Sequence, residues 1–213
     1  MAVVSYGAST ELDAVNSILM SVGESPVNTL NVQSPEVAIA QKTLQQVCRE
    51  VLSEGWVFNT EKEYAILLDS NNHGIVPNNV LKIDGNPFKH LDHLHLVKRK
   101  DSGVEKLYDL HAHSFDISDV GDTVYVDIIW MQDFNDIPEV FKDYITLRAS
   151  RIASNRMVND PQAAQLLGQD EQLARAAALE YDTQQSGYNI FADQQGRTNP
   201  ASHYRPYKVL QRR

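Results

Sequence analysis

The stretch Asp122-Thr123-Val124-Tyr125-Val126-Asp127-Ile128-Ile129-Trp130, followed shortly by Asp136-Ile137-Pro138-Glu139, decides the architecture. In the first segment Val124, Val126, Ile128 and Trp130 alternate with Tyr125, Asp127 and Ile129, the period of a half-buried strand. Beyond the second, Phe141, Tyr144, Ile145, Ala149 and Ile152 recur at helical spacing. The chain thus changes from β to α structure within a few residues. Asn159-Asp160-Pro161 marks a break and a fresh start, and the next helix runs to about residue 185. Ala163, Leu167, Ala174, Ala177 and Tyr181 give it a narrow stripe, whose small residues allow close helix approach.

Upstream of residue 122 the pattern is β. Residues 63–68, 80–84, 93–98 and 105–109 are candidate strands. Lys100-Asp101-Ser102-Gly103 reads as a hairpin turn, and Asn71-Asn72-His73-Gly74 and Asp84-Gly85-Asn86-Pro87 as further turns. Two helices come before the strands. The first starts at Ser9 or Thr10 and ends at Gly23, with Leu12, Val15, Ile18, Leu19 and Val22 on one face. The second starts at Ser34-Pro35-Glu36 and ends at Gly55, with Val37, Ala40, Leu44, Val47 and Val51 on one side. The two are expected to pair as a hairpin.

Segregated helices and strands imply an α+β fold. The helix pairs from both ends, residues 1–60 and 136–186, are expected to form a four-helix bundle. An antiparallel β insert, 61–135, projects from it, and an extended arm, 187–213, follows. No run is long and apolar enough for a membrane helix. Met1-Ala2-Val3-Val4-Ser5-Tyr6 lacks the basic flank and apolar core of a signal peptide. The single cysteine, Cys48, leaves no internal disulfide framework. Together these features predict a protein made and folded in a cytoplasm.

The net charge is −9, a poor basis for gripping nucleic acid. The charge is uneven. Residues 187–213 carry Arg197, Arg205, Lys208, Arg212 and Arg213 against Asp193, so this arm is +4 and the rest −13. With Tyr188, Phe191, Tyr204 and Tyr207 interspersed, it combines residue types enriched at interfaces. It is the candidate arm for another subunit or a partner, against the alternative of an exposed disordered end.

Candidate chemistry is sparse. His90, His93 and His95 fall close together, and His111 and His113 follow across the hairpin. With the turn centred near Asp101 and Ser102, His93 would lie opposite Leu110 and His111. Histidines two apart on a strand share a face, which suits a metal. The plainer alternative is a polar sheet face. The β region is also rich in carboxylates: Glu61, Glu63, Asp69, Asp84, Asp92, Asp109, Asp116, Asp119, Asp122 and Asp127. A glycosidase needs two on opposite sides of a sugar, and nothing singles out a pair. Cys48 sits on the apolar side of the second helix, where a small core residue is the expected role. Trp56 and Phe58 follow a helix-ending glycine and are expected to anchor the junction of helices and sheet. No nucleophile elbow or phosphate loop occurs, and no cofactor or metal site is expected.

Particular segments resemble a known family. Residues 11–19, followed by Ser21-Val22-Gly23-Glu24-Ser25-Pro26-Val27, resemble the opening of podophage tail tubular protein A. So do residues 49–59, which end in a Gly-Trp-x-Phe-Asn element at Gly55, Trp56, Phe58 and Asn59. Ile137-Pro138-Glu139 through Arg151 to Asn155-Arg156 resembles the third family helix, and Glu180-Tyr181 through Gly187-Tyr188-Asn189 the end of the fourth. The segments fall in family order and cover both helical regions.

The resemblance implies a structural virion protein with a helical bundle and an inserted β domain, rather than an enzyme. It implies a twelve-fold ring between the portal protein and the tail nozzle protein, tail tubular protein B, with fibres attaching near that junction. Double-stranded DNA would pass through the lumen without specific binding, and the protein would reside in the virion tail after assembly in the host cytoplasm. The rival reading is a tail-associated polysaccharide-degrading enzyme acting through carboxylates of the β insert.

Overall fold

The computed structural model describes residues 9–31, 34–85, 94–158 and 160–186. The fold is α+β, with four helices and two small antiparallel sheets among these residues. The order is α1 (Glu11–Ser21), α2 (Pro35–Leu52), β1 (Thr60–Leu67), β2 (Val80–Gly85), β3 (Leu96–Asp101), β4 (Val104–Asp109), β5 (Thr123–Trp130), α3 (Glu139–Met157) and α4 (Pro161–Gln185).

Local chemistry sets the helix ends. Thr10 is the N-cap of α1: its hydroxyl accepts from the Asp13 N–H, and the Asp13 carboxylate accepts from the Thr10 N–H at 2.9 Å, a reciprocal capping box. The Thr10 bonds hold the Asp13 carboxyl below the usual aspartate range. Ser34 differs from the expected pattern. Its hydroxyl makes no bond to the backbone of α2 and donates instead to the Glu36 carboxylate, so Pro35 at the first turn carries the start signal. Asp160 caps α4 through the Gln162 N–H.

α1 and α2 do contact each other, with the Asn16 amide clamping their connection through both backbone groups of Val27, at 3.0 and 2.8 Å. Yet the main neighbour of each is α3, which also packs on α4. One core therefore joins Val15, Ile18 and Leu19 of α1, Leu44, Val47 and Val51 of α2, and Phe141, Tyr144 and Ile145 of α3. α4 adds little: Ala178 is its one buried residue. The stripe expected on α4 is corrected at one position. Ala163, Leu167, Ala174 and Tyr181 are half-buried, but Ala178 faces the core and Ala177 is exposed. Four residues from Ala174 bring a side chain back over the same face, whereas three fall short of a turn.

β5 is the central strand of the order β1-β5-β2, and β3 pairs with β4 in a separate hairpin. Val124, Val126 and Ile128 are fully buried, with Ile66, Ile83, Leu96, Leu107 and Ile117 in the same second core. One residue of β5, Trp130, departs from simple alternation. Trp130 is half-buried because its indole N–H reaches the Glu61 carboxylate at 3.0 Å, edge-on to Tyr64. Ile129 is half-buried because it lies over Gly55.

The Gly55–Asn59 element joins the two cores. Gly55 has φ +82°, a conformation that favours glycine, and a Cβ there would meet Ile129 Cδ1, the end of a flexible side chain, at 2.7 Å. Trp56 donates its indole N–H to Val51 O at 2.7 Å and packs on Phe141, with ring centroids 4.8 Å apart; Phe58 meets the same ring at 4.6 Å. The buried Asn59 amide accepts from the Trp56 N–H and donates to Leu52 O and Trp130 O at 2.9 and 3.0 Å. Trp56 and Phe58 are thus the anchors the sequence suggests.

Candidate docking surface

The histidine hairpin does not have the expected register. Ser102 (φ +52°) and Gly103 (φ +87°) form a two-residue turn with both φ positive, which centres the hairpin later than assumed. Leu96 pairs with Asp109, and His95 O accepts from the Leu110 N–H at 2.9 Å. β4 ends at Asp109, so His111 and His113 lie in a turn and share no strand face. The cause is Asp109 itself, whose buried carboxylate accepts from the His111 N–H at 2.8 Å and the His95 N–H at 3.2 Å. His90 and His93 lie outside the described residues. Among the described residues, no three His, Cys, Asp or Glu side chains converge as metal ligands do.

Several insert carboxylates have structural partners. Asp69 accepts from the Asn71 and His73 N–H groups, Asp116 from the Ser118 N–H, and Asp127 from the Glu63 N–H at a bulge of β1. Asp92 lies outside the described residues. Cys48 is buried in the helical core, and burial pushes its thiol up to about 11, which keeps it protonated and unreactive at neutral pH.

The helical face is more informative. α4 is held by polar contacts as well as by the packing of Ala174, Ala178 and Tyr181 on the core. The Tyr144 hydroxyl, deep in α3, accepts from Arg148 at 3.0 Å and from Arg175 of α4 at 2.9 Å. The same guanidiniums reach the C-terminal end of α2, Arg148 to Glu50 in its last turn at 3.3 Å and Arg175 to Glu54 just beyond it at 3.1 Å. Arg151 pairs with Glu171 of α4, and the Val57 N–H donates to Asp182 at 2.7 Å.

Beside this network α1, α3 and α4 leave an open groove of about 600 Å³. Half-buried Val140, Leu147, Leu167 and Ala174 line it with apolar surface, and Ser17 and Ser21 close the α1 side. Asp143 of α3 and Asp170 of α4 stand at its exposed rim. Partial desolvation at the rim, then repulsion from Glu139, raises the Asp143 carboxyl above its ordinary range. Leu173 also lines the groove at 72% exposure, and Leu166 one helical repeat earlier is 64% exposed. Large apolar side chains clustered in the open mark a surface built for contact. The sequence stripe pointed to the face of α4 that packs on α3. Leu167, Ala174 and Ala177 of that stripe also line the groove, and Leu173 is the apolar groove residue of α4 that falls off it.

A family model described as "Tail tubular protein" (Tube) matches residues 12–188. The chain belongs to the tail tubular protein family. As a member it is a structural component of a phage tail. The matched span runs from the first turn of α1 to just beyond α4, so the groove, the Gly55–Asn59 element and both sheets lie within the tail tubular part of the chain. Comparison with curated proteins gives no match. The arm residues Tyr188, Phe191, Arg197, Tyr204, Arg205, Tyr207, Lys208, Arg212 and Arg213 lie outside the described residues, and all but Tyr188 lie beyond the matched span as well.

Proposed function

We propose that this tail tubular protein forms the adaptor ring between portal and tail nozzle. The observation that carries the reading is the family match, which takes in both helical regions and the strands between them. In this reading the helices of residues 1–60 and 136–186 act as one four-helix bundle, the insert of 61–135 projects from it, and 187–213 is a docking arm. A closed ring repeats one heterologous contact, so each subunit needs two different faces. The uncovered groove on α1, α3 and α4 supplies a surface suited to one of them.

The ring is twelve-fold, stacks on the portal protein, receives the nozzle protein tail tubular protein B beneath, offers a platform for tail fibres, and is assembled in the host cytoplasm. Its net charge of −9 suits a wall past which DNA slides, since tight phosphate binding needs clustered Lys and Arg. Co-sedimentation of the chain with purified portal rings, and then with the nozzle protein, tests the reading. Pelleting with the portal, and of the nozzle only when the chain is present, is expected. A nozzle that binds bare portal equally well would overturn it.

A further inference from the structure

The groove on α1, α3 and α4 has an apolar lining and two acids on its rim, and no described residue fills it. An occupant that matches it must be apolar or aromatic with interleaved cations. Residues 198–213 have that composition. They contain Tyr204, Tyr207, Val209 and Leu210, with Arg205, Lys208, Arg212 and Arg213 and no acid.

Length agrees. The α4 side of the groove runs from Leu167 to Ala177, about 15 Å of helix at 1.5 Å per residue. A polyproline II chain, at about 3.1 Å per residue and three residues per turn, covers it with roughly five residues and puts residues three apart on one face. The run Tyr204-Arg205-Pro206-Tyr207-Lys208 is of that length, and Pro206 biases the residue before it toward extended backbone. The ring reading favours a second copy, because an arm seated on its neighbour gives each subunit the two unlike faces a closed ring needs.

We infer that the groove receives residues 204–208 of a neighbouring copy of this chain, with the tyrosines on the apolar lining and Arg205 and Lys208 facing Asp143 and Asp170. This contact rests on the ring reading above and gives the ring its two faces, a groove and an arm.

The test is disulfide trapping in the full chain. Leu173→Cys and Tyr207→Cys are placed together on a Cys48→Ala background, assembled on portal rings, oxidised and denatured. A ladder of multimers is expected, at least about fivefold stronger than when Leu67→Cys replaces Leu173→Cys, because docking raises the local thiol concentration. Rings that yield no ladder above that control, or only internally linked monomers, would overturn the inference and leave the ring reading standing. A portal that stays bare with the unsubstituted chain overturns both. As a second measure, Asp143→Lys with Asp170→Lys lowers ring yield about tenfold, and adding Arg205→Glu with Lys208→Glu restores it. Failure of that restoration counts against the contact.

Discussion

Arg175 of α4 donates to the hydroxyl of Tyr144 on α3 at 2.9 Å, and its guanidinium carbon lies 5.8 Å from the centre of the same ring. The hydroxyl also accepts from Arg148, so one oxygen receives two cations. Ala178 is the sole buried residue of α4, so this oxygen is one of the few deep anchors that α4 has. Tyr144→Phe keeps the ring and removes the acceptor. It should cost about 1–3 kcal/mol, the usual range for a partly buried bond to a charged group. Amide exchange should quicken over residues 161–185 before it quickens over α2. Equal acceleration in both helices would show that α4 is not held separately.

Asp109→Ala tests the end of the β hairpin. Its carboxylate satisfies the His95 and His111 N–H groups from a buried position, so removal should cost about 1–3 kcal/mol in denaturant unfolding. Asp109→Asn keeps a carbonyl oxygen there and should recover part of that loss.

Gly55→Ala places a Cβ against Ile129 and puts alanine at φ +82°. Strain of this kind typically costs about 1–3 kcal/mol. The effect should appear as a lowered thermal midpoint, and Ile129→Val should return some of it by shortening the opposing side chain. No rescue would mean that φ, rather than the clash, dominates.

Carboxylates of the helical region give opposite pH signs. Glu139 is held below its ordinary range by its bond from Ser9, at 2.8 Å from the backbone N–H, with Lys142 nearby at 3.6 Å. A depressed folded pKa adds stability that is present above the unfolded value and lost as pH falls through the lower, folded one. Asp143 is raised, so its effect is the reverse: stability is greatest below the unfolded value and declines as pH rises through the folded one. At neutral pH Glu139→Gln should therefore lower the melting temperature and Asp143→Asn should raise it, with both differences shrinking in strong acid. In the ring reading Asp143→Asn also weakens assembly, so stability and assembly should move in opposite directions.

Cys48 provides a check on the helical core. With its thiol raised to about 11 and buried, it should react with a thiol reagent at pH 8 far more slowly in the native protein than in denaturant. Equal rates would mean that α2 opens readily.

The amino-acid sequence made much of this fold legible. Pro35, Pro161 and the Thr10–Asp13 pair state where helices begin, and α4 falls on the expected residues because Asp160-Pro161 signals its start without ambiguity. The alternation in β5 is plain because one face meets a core. The hairpin register was less legible. A two-residue turn at Ser102-Gly103 moves every pairing relative to a turn centred one residue earlier, and Asp109 ends the strand before His111. The groove was hardest to foresee. Periodicity reports which side of a helix is apolar, but not which neighbour fails to cover it, so Leu167 and Ala174 read as packing residues although they also line an open groove.

The most direct test of the adaptor reading is electron microscopy of this chain mixed with the portal ring of the same phage. The account predicts a second ring stacked coaxially on the portal, with twelve subunits and with α4 and its groove at each subunit boundary. A portal that stays bare over a wide range of concentrations, with the chain shown to be folded, would contradict it.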